Sequence, residues 1–366
     1  MTTDVLAFIE DPGAANYILP IITELESRGL SVALRIDGAA TTYVQRPSIR
    51  RDETADALIA RLRPRAVLVG TSENSGSLGL ALIDAARHAG IPVAGAVDAL
   101  GNAAGRFRGV SEQPLSHAPD LILVADRATA HAFIDLGQPE QSVVVCGHPQ
   151  HDAVRERAKL LAAEGKAAVR RRIFAHADGS RPVLLFASEV STGIGSQVFA
   201  RDADYSLTGS GTFGLRTEII IEEFLGAVRT LATKPYLVLR MHPKNTREEL
   251  APFLADFDDI SAGGPGLDTV FAADAVVGMT SMLLVEAMLI GRPVLSILPR
   301  EEERNLLSEL QTGEIPVATS PGTVREGLRR LLSAAPASHK PETKERGAGA
   351  RAADAIMRLI QRAPSQ

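Results

Sequence analysis

Short runs of apolar, largely β-branched residues alternate along the chain with stretches whose apolar positions recur at helical spacing. Asp4–Ile9, Ser31–Ile36, Ala66–Gly70, Pro92–Val97, Asp120–Ala125 and Val143–Cys146 read as strands, with helices over Ala15–Arg28, Asp52–Leu62, Leu78–Ala89 and Thr129–Leu136. The plan then repeats. Strands Pro182–Ser188, Tyr236–Met241, Ala275–Gly278, Val294–Leu298 and Ile315–Val317 alternate with helices Glu218–Thr233, Arg247–Leu254, Met282–Ile290, Glu301–Leu310 and Val324–Leu332. The strands lack polar alternation, as expected when helices cover both faces of a parallel sheet. Two successive arrays of this kind predict an α/β protein of two doubly wound, Rossmann-like domains. The pattern places them at residues 1–178 and 179–340, followed at 341–366 by a polar linker and a terminal amphipathic helix.

One stretch concentrates the local signals. In Ala273–Leu298 an apolar strand ends at Thr280-Ser281, an apolar helix follows, Gly291 closes it, and a second strand begins after Pro293. Ser281 suits an N-cap, and Gly291 suits the left-handed residue that ends a helix. Glu286 is the only charge between Asp274 and Arg292, on a helix apolar enough to be buried, so it needs a polar partner such as a sugar hydroxyl. The helix start offers unpaired N–H groups to an anion. The combination suits a nucleotide phosphate with its ribose.

Composition narrows the classes. At 366 residues, 45% apolar and net charge −5, the chain does not have the basic balance of a nucleic-acid binder. No run of about 18 apolar residues marks a membrane span, and MTTDVLAFIED reads as a first strand rather than a signal peptide. Cys146 is the lone cysteine, so no internal disulfide or cysteine zinc site is expected. A cytoplasmic location follows as an expectation.

Ligands in open parallel sheets bind at the carboxyl ends of strands, so the polar residues there are the candidates. Glu10-Asp11-Pro12-Gly13-Ala14-Ala15-Asn16 follows the first strand. Its small residues let backbone approach a ligand, with Gly13 and Asn16 on the substrate side and Asp11 as a base. A tight turn capped by Asp11 is the plainer alternative. Asp98, Asn102 and Arg106 lie in a polar loop that is either solvated or holds substrate. His148 and His151 suggest an interdomain turn more than a metal site, since no third ligand is evident. Arg240, His242 and Lys244 at the mouth of a strand suit a phosphate or leaving diphosphate. A solvated turn would explain Lys244 but not Arg240, inside an apolar strand. Ser188-Glu189 and Ser191-Thr192 are weaker polar candidates.

Assembled, these residues carry a resemblance. The second half resembles the nucleotide-binding domain of GT-B glycosyltransferases, in the branch that includes surface-polysaccharide, sialic-acid and teichoic-acid polymer transferases and the NDP-sugar 2-epimerases. The carriers are Leu239–Pro243 (LRMHP) and Thr280–Ile297 (TSMLLVEAMLIGRPVLSI). His242-Pro243 is similar to the HP motif of bacterial sialyltransferases, and Thr280-Ser281 stands where their Ser-Ser/Thr motif would be, in reversed order. Ser281 and Glu286 stand as the epimerases' Ser-rich turn and ribose-binding glutamate would. Glu10-Asp11-Pro12-Gly13 is similar to the sialyltransferases' acidic pair before a glycine, with an intervening proline. The first half resembles surface-carbohydrate biosynthesis proteins in DPGAANYILP, in the Asp98–Phe107 spacing and in PDLILVADRATAHAF.

The resemblance implies a transferase moving a sugar or polyol phosphate from a CMP-, CDP- or UDP-linked donor to a glycan or lipid-linked acceptor, with no further cofactor or metal and a possible homodimer. Arg240, His242, Lys244, Ser188, Thr280 and Ser281 would hold the donor phosphate, Glu286 the ribose, and Asp11 would deprotonate the acceptor. Two alternatives stay open. A non-hydrolysing NDP-sugar 2-epimerase would recruit groups such as Asp98, His148 and Glu189, and a non-catalytic GT-B protein would bind nucleotide or glycan only. Gly193–Gly214, Gly/Ser-rich and without period, is expected to be a lid ordered by ligand with Tyr205 as its anchor, or else a passive insertion.

Overall fold

The computed structural model describes residues 3–49, 52–72, 74–177, 179–191, 199–333 and 347–362. The chain forms two compact units, residues 1–153 with 344–366, and residues 154–343.

Unit 1 contains β1 (Val5–Ile9), β2 (Val32–Ile36), β3 (Ala66–Gly70), β4 (Val93–Val97), β5 (Leu121–Val124) and β6 (Val143–Val145). They form a six-stranded sheet in the order β2-β1-β3-β4-β5-β6, every pair parallel. Strands β1, β3, β4 and β5 are buried throughout, because helices lie on both faces. One face packs on the helix Pro12–Ser27 through Tyr17, Ile18, Ile21 and Ile22, the other on helices carrying Leu58, Leu82 and Phe133.

Unit 2 contains β7 (Val183–Ala187), β8 (Tyr236–Arg240), β9 (Asp259–Ser261), β10 (Ala275–Gly278), β11 (Val294–Ile297) and β12 (Val317–Ala318). Their order is β12-β11-β10-β7-β8-β9, again all parallel. The expected α/β architecture of two doubly wound Rossmann-like arrays is therefore present. Strand β9 and the helix Gly266–Ala272 had no counterpart in the sequence pattern. A three-residue strand reading Asp-Ile-Ser at a sheet edge carries too little periodicity to stand out.

The division between units differs from the expected one near residue 178. It falls inside the helix Pro149–Glu164, after Ala153. Ion pairs explain the assignment: Arg157 and Arg172 hold the buried Asp268, and Lys166 and Arg170 hold Asp274, so the charged helical segment belongs to unit 2. The terminal helix Ala348–Arg362 is not a separate appendage but part of unit 1. It buries Ala352, Ala353, Ile356 and Ile360 there, and Arg28 pairs with Asp354 at 2.5 Å. Asp152 accepts hydrogen bonds from the N–H groups of Gly347 and Ala348 at 2.9 and 3.1 Å, satisfying orphan donors at that helix start. Among the described residues no helix is long and apolar enough to cross a membrane.

Candidate functional site

Each sheet has a switch point, where successive connections leave toward opposite edges and a crevice opens beyond the strand ends. In unit 2 it lies between β7 and β10. The register pairs Val277 with Phe186 and Ala187 with Arg240, so the residues just past these strands come together: Ser188 and Glu189, Thr280, and Met241 and His242.

Glu189 is the centre of this group. Its Oε1 accepts the Thr280 backbone N–H at 2.5 Å, and its Oε2 accepts the Thr280 hydroxyl at 2.8 Å and Arg216 Nη1 at 3.0 Å. Arg216, first residue of the helix Arg216–Val228, is 4% exposed and lies between two carboxylates, since its Nη2 also pairs with Glu303 at 2.6 Å. Burial works against its charge, and Glu189 and Glu303 more than offset that, holding the guanidinium above its ordinary value. Arg216 and Glu303 went unnoticed in the sequence. The only signal was a lone arginine opening an apolar helix.

His242 is held on both sides. Its N–H donates to Asn245 Oδ1 at 3.0 Å, and its ring Nδ1 accepts the Lys244 N–H at 3.1 Å. Accepting at Nδ1 selects the neutral tautomer with the proton on Nε2. Burial pushes the imidazole below its usual value; Glu189 opposes this and Lys244 adds to it. Asn245, which the sequence reading passed over, also accepts the Ser188 hydroxyl at 2.8 Å and donates to the Glu189 carbonyl at 3.3 Å. It ties the ends of β7 and β8 together. Lys244 is exposed at the same turn.

Ser281 is the expected N-cap: its hydroxyl accepts the Leu283 N–H at 3.2 Å, at the start of the helix Met282–Leu289. Gly291 has the expected left-handed backbone, at φ 73°. Glu286 is buried, 7% exposed, just over one turn into the helix.

Arg240 has partners that the sequence pattern did not suggest. Its guanidinium is turned to the neighbouring strand, where Nη1 donates to Ser261 Oγ at 2.9 Å and to the Gly263 carbonyl, and Nη2 donates to the Gly264 carbonyl at 2.7 Å. The unpredicted β9 places these acceptors there. Through these bonds Arg240 pins the loop after β9.

The Gly/Ser-rich segment needs correcting where it is described, over 199–214; Thr192–Val198 lie outside the described residues. It is packed onto its own unit. Leu207 is fully buried, and Tyr205 is 6% exposed beneath the Arg300 guanidinium. Ser206 N–H donates to the Pro299 carbonyl at 2.7 Å, and Glu223 accepts the Gly209 N–H at 2.8 Å. Tyr205 is an anchor, as expected, but Leu207 and Glu223 supply what composition failed to suggest.

In unit 1 the structure brings Gly13, Asp98 and Arg106 together and separates out their neighbours. Arg106 Nη1 lies 3.5 Å from Asp98 Oδ1, and its Nε donates to the Gly101 carbonyl at 3.2 Å. Asp98 Oδ1 is buried yet accepts no hydrogen bond. Asn102 takes a left-handed backbone at φ 58° and packs its amide on Gly105, shaping the turn. Asp11 occupies the N-cap of Pro12–Ser27 without a side-chain cap bond, and Asn16 lies one turn further on. Glu10 is consumed structurally: Ser72, Asn74 and Ser77 all donate to its carboxylate at 2.8, 2.6 and 2.5 Å. His148 stacks on His151 with centroids 4.9 Å apart and meets Tyr17 edge-on. Among the described residues no group of three or more His, Cys, Asp or Glu side chains is arranged to hold a metal.

No family model matches the chain, and no curated protein matches it. Solved structures similar to its whole length include the S. aureus MnaA–UDP co-structure, with 17% identity, TM-score 0.67 and 100% of each chain covered. Another is the UDP-GlcNAc 2-epimerase from Neisseria meningitidis bound to UDP-GlcNAc, with 15% identity, TM-score 0.65, and 98% of this chain and 100% of that one covered. The wall teichoic acid polymerase TagF is similar at 12% identity and TM-score 0.57, over 98% of this chain and 89% of that one. The chain thus has the two-domain GT-B fold, and the resemblance seen in its motifs holds at the level of fold.

Proposed function

We propose that the chain is a nucleotide-sugar enzyme that binds a UDP-linked N-acetylhexosamine in unit 2 and inverts its C2 centre without an acceptor, as a non-hydrolysing 2-epimerase. This reading takes the lead over the transferase because similar structures that span nearly the whole of both chains include a UDP-bound MnaA and a 2-epimerase holding UDP-GlcNAc. The observation that carries the nucleotide assignment is the convergence on one anion, at the switch point of unit 2, of a backbone N–H, a hydroxyl and a guanidinium from Thr280 and Arg216. Phosphoryl oxygens are recognised by that donor set.

Around it, neutral His242 donates its Nε2–H to a phosphate oxygen, Lys244 adds charge, and Ser281 keeps its O–H available while capping the helix. Ser188 and Asn245 hold the turn, and Glu286 receives the ribose hydroxyls. Inversion at C2 needs a group that takes a proton from carbon and a group that returns one. In unit 1 we assign the first role to Asp98, whose buried oxygen is not engaged by any hydrogen bond, in preference to Asp11. Gly13 and Arg106 position it.

The test is incubation of the purified chain with UDP-GlcNAc alone, followed by NMR of the anomeric protons. A second epimer is the expected product, and Asp98→Asn loses it by about 100-fold or more while still binding UDP. UDP binding without any epimer would return the lead to transfer of a sugar or polyol phosphate, for which the likeness to the TagF polymerase is the supporting observation. No UDP binding at millimolar concentration would remove the epimerase reading, and no binding of CMP, CDP or UDP would remove both.

A further inference from the structure

The Thr280–Arg216 donor set is already filled by Glu189. The Thr280 N–H reaches Oε1 at 2.5 Å, while the Thr280 hydroxyl and Arg216 Nη1 reach Oε2 at 2.8 and 3.0 Å. A nucleotide diphosphate entering here would meet a carboxylate of its own sign holding the same donors, and like charges in a poorly solvated site repel. Building on the nucleotide reading above, we propose that Glu189 is an internal anion seated in the phosphate cradle, and that a nucleoside diphosphate binds by displacing it.

Three observations and one general rule fit a displaceable side chain on a fixed frame. The Glu189 backbone is held independently, its carbonyl accepting from Thr217 Oγ1 at 3.1 Å and Asn245 Nδ2 at 3.3 Å, so the side chain can leave without unravelling the turn. The Glu189 side chain keeps 13% exposure, whereas those of Arg216 and Glu303 keep 5% each, so Glu189 is the member of the cluster in touch with solvent. Arg216 retains its second partner, Glu303, throughout the exchange. Finally, a buried guanidinium needs an ionic partner, and a phosphoryl oxygen pairs with it as a carboxylate does.

Two consequences follow. Affinity for the nucleotide is set below what the cradle offers, because every binding event first breaks the Glu189 contacts. Ligands without a phosphate do not take part in this exchange, so Glu189 lowers the affinity of the diphosphate and not that of the nucleoside alone.

Titration calorimetry of UDP and of uridine into the full-length chain tests this with wild type, Glu189→Gln and Glu189→Ala. Both substitutions should tighten UDP binding by about threefold or more, since the competing contacts to a charged group are weakened or lost, and leave uridine binding unchanged. Gln is nearly isosteric, and thermal melts establish that each variant is folded. In the Glu189→Gln background, Thr280→Val should then weaken UDP, because the hydroxyl has become a phosphate ligand. Folded Glu189 variants that bind UDP no more tightly than wild type would overturn the inference and make Glu189 a strut of the turn, leaving the nucleotide reading intact. If neither wild type nor variants bind UDP, the nucleotide reading falls and this inference with it.

Discussion

Asp98 lies so close to the backbone of Gly13 that a Cβ placed on Gly13 would stand 2.0 Å from Asp98 Oδ2. Gly13 is the second residue of the helix Pro12–Ser27, so the carboxylate sits against that helix's first turn, where unpaired N–H groups and the positive end of the dipole favour it. Only glycine permits the approach.

Gly13→Ala therefore moves Asp98. The Gly13 backbone is not left-handed, so alanine is tolerated by the helix itself and the clash with the carboxylate is the dominant effect. Turnover should fall at least about tenfold, as expected when a reacting group is displaced by an ångström, with UDP affinity unchanged in calorimetry. Full activity in a folded Gly13→Ala variant would place Asp98 outside the chemistry.

Burial, opposed by Glu189 and reinforced by Lys244, holds His242 below its ordinary 6.5. On acidification the unfolded chain therefore takes up this proton before the native chain does. The resulting stabilisation is complete above the unfolded value and is lost as pH falls from there through the native value. Urea midpoints at pH 7.5 and pH 5 for wild type and His242→Asn should show wild type losing more stability of the two. Parallel losses would mean that His242 does not titrate differently in the folded state.

Leu207 should behave as a core residue although it lies in a Gly/Ser-rich loop. It is fully buried, and Leu207→Ala should cost about 2–5 kcal/mol in denaturant unfolding. The amides of Ser206 and Leu207, which donate to the Pro299 carbonyl, should be protected from hydrogen exchange before any nucleotide is added. Rapid exchange of both would restore the expectation of a ligand-ordered lid.

Asp152→Ala removes the acceptor of two N–H groups at the start of the terminal helix. A loss of about 0.5–2 kcal/mol is expected, the usual range for an N-terminal cap, and limited proteolysis should cut near residue 348 sooner than in wild type. Equal cleavage rates would show that the buried alanine and isoleucine face alone holds the helix.

The sequence by itself determined the elements whose cause is local. Apolar strands buried on both faces reveal themselves without reference to any partner, and so do Ser281 as a cap and Gly291 as a helix end, because the bonds and backbone angles involved lie within a few residues of each other. The HP turn at His242 and the buried charge of Glu286 were legible for the same reason: each contradicts its immediate surroundings. Tertiary structure alone decided which of the polar strand ends meet. Glu189 is separated from Thr280 and Arg216 by long stretches of chain, and only the order β10-β7-β8 puts them in contact. The carbonyls that engage Arg240 lie just past the edge strand β9, which is too short to carry a pattern. The loop at 199–214 seemed too polar to order itself, yet it borrows Pro299, Arg300 and Glu223 from distant segments. Long-range pairing depends on strand order and register, and a charge or a glycine shows its role only beside the partner that the register brings to it.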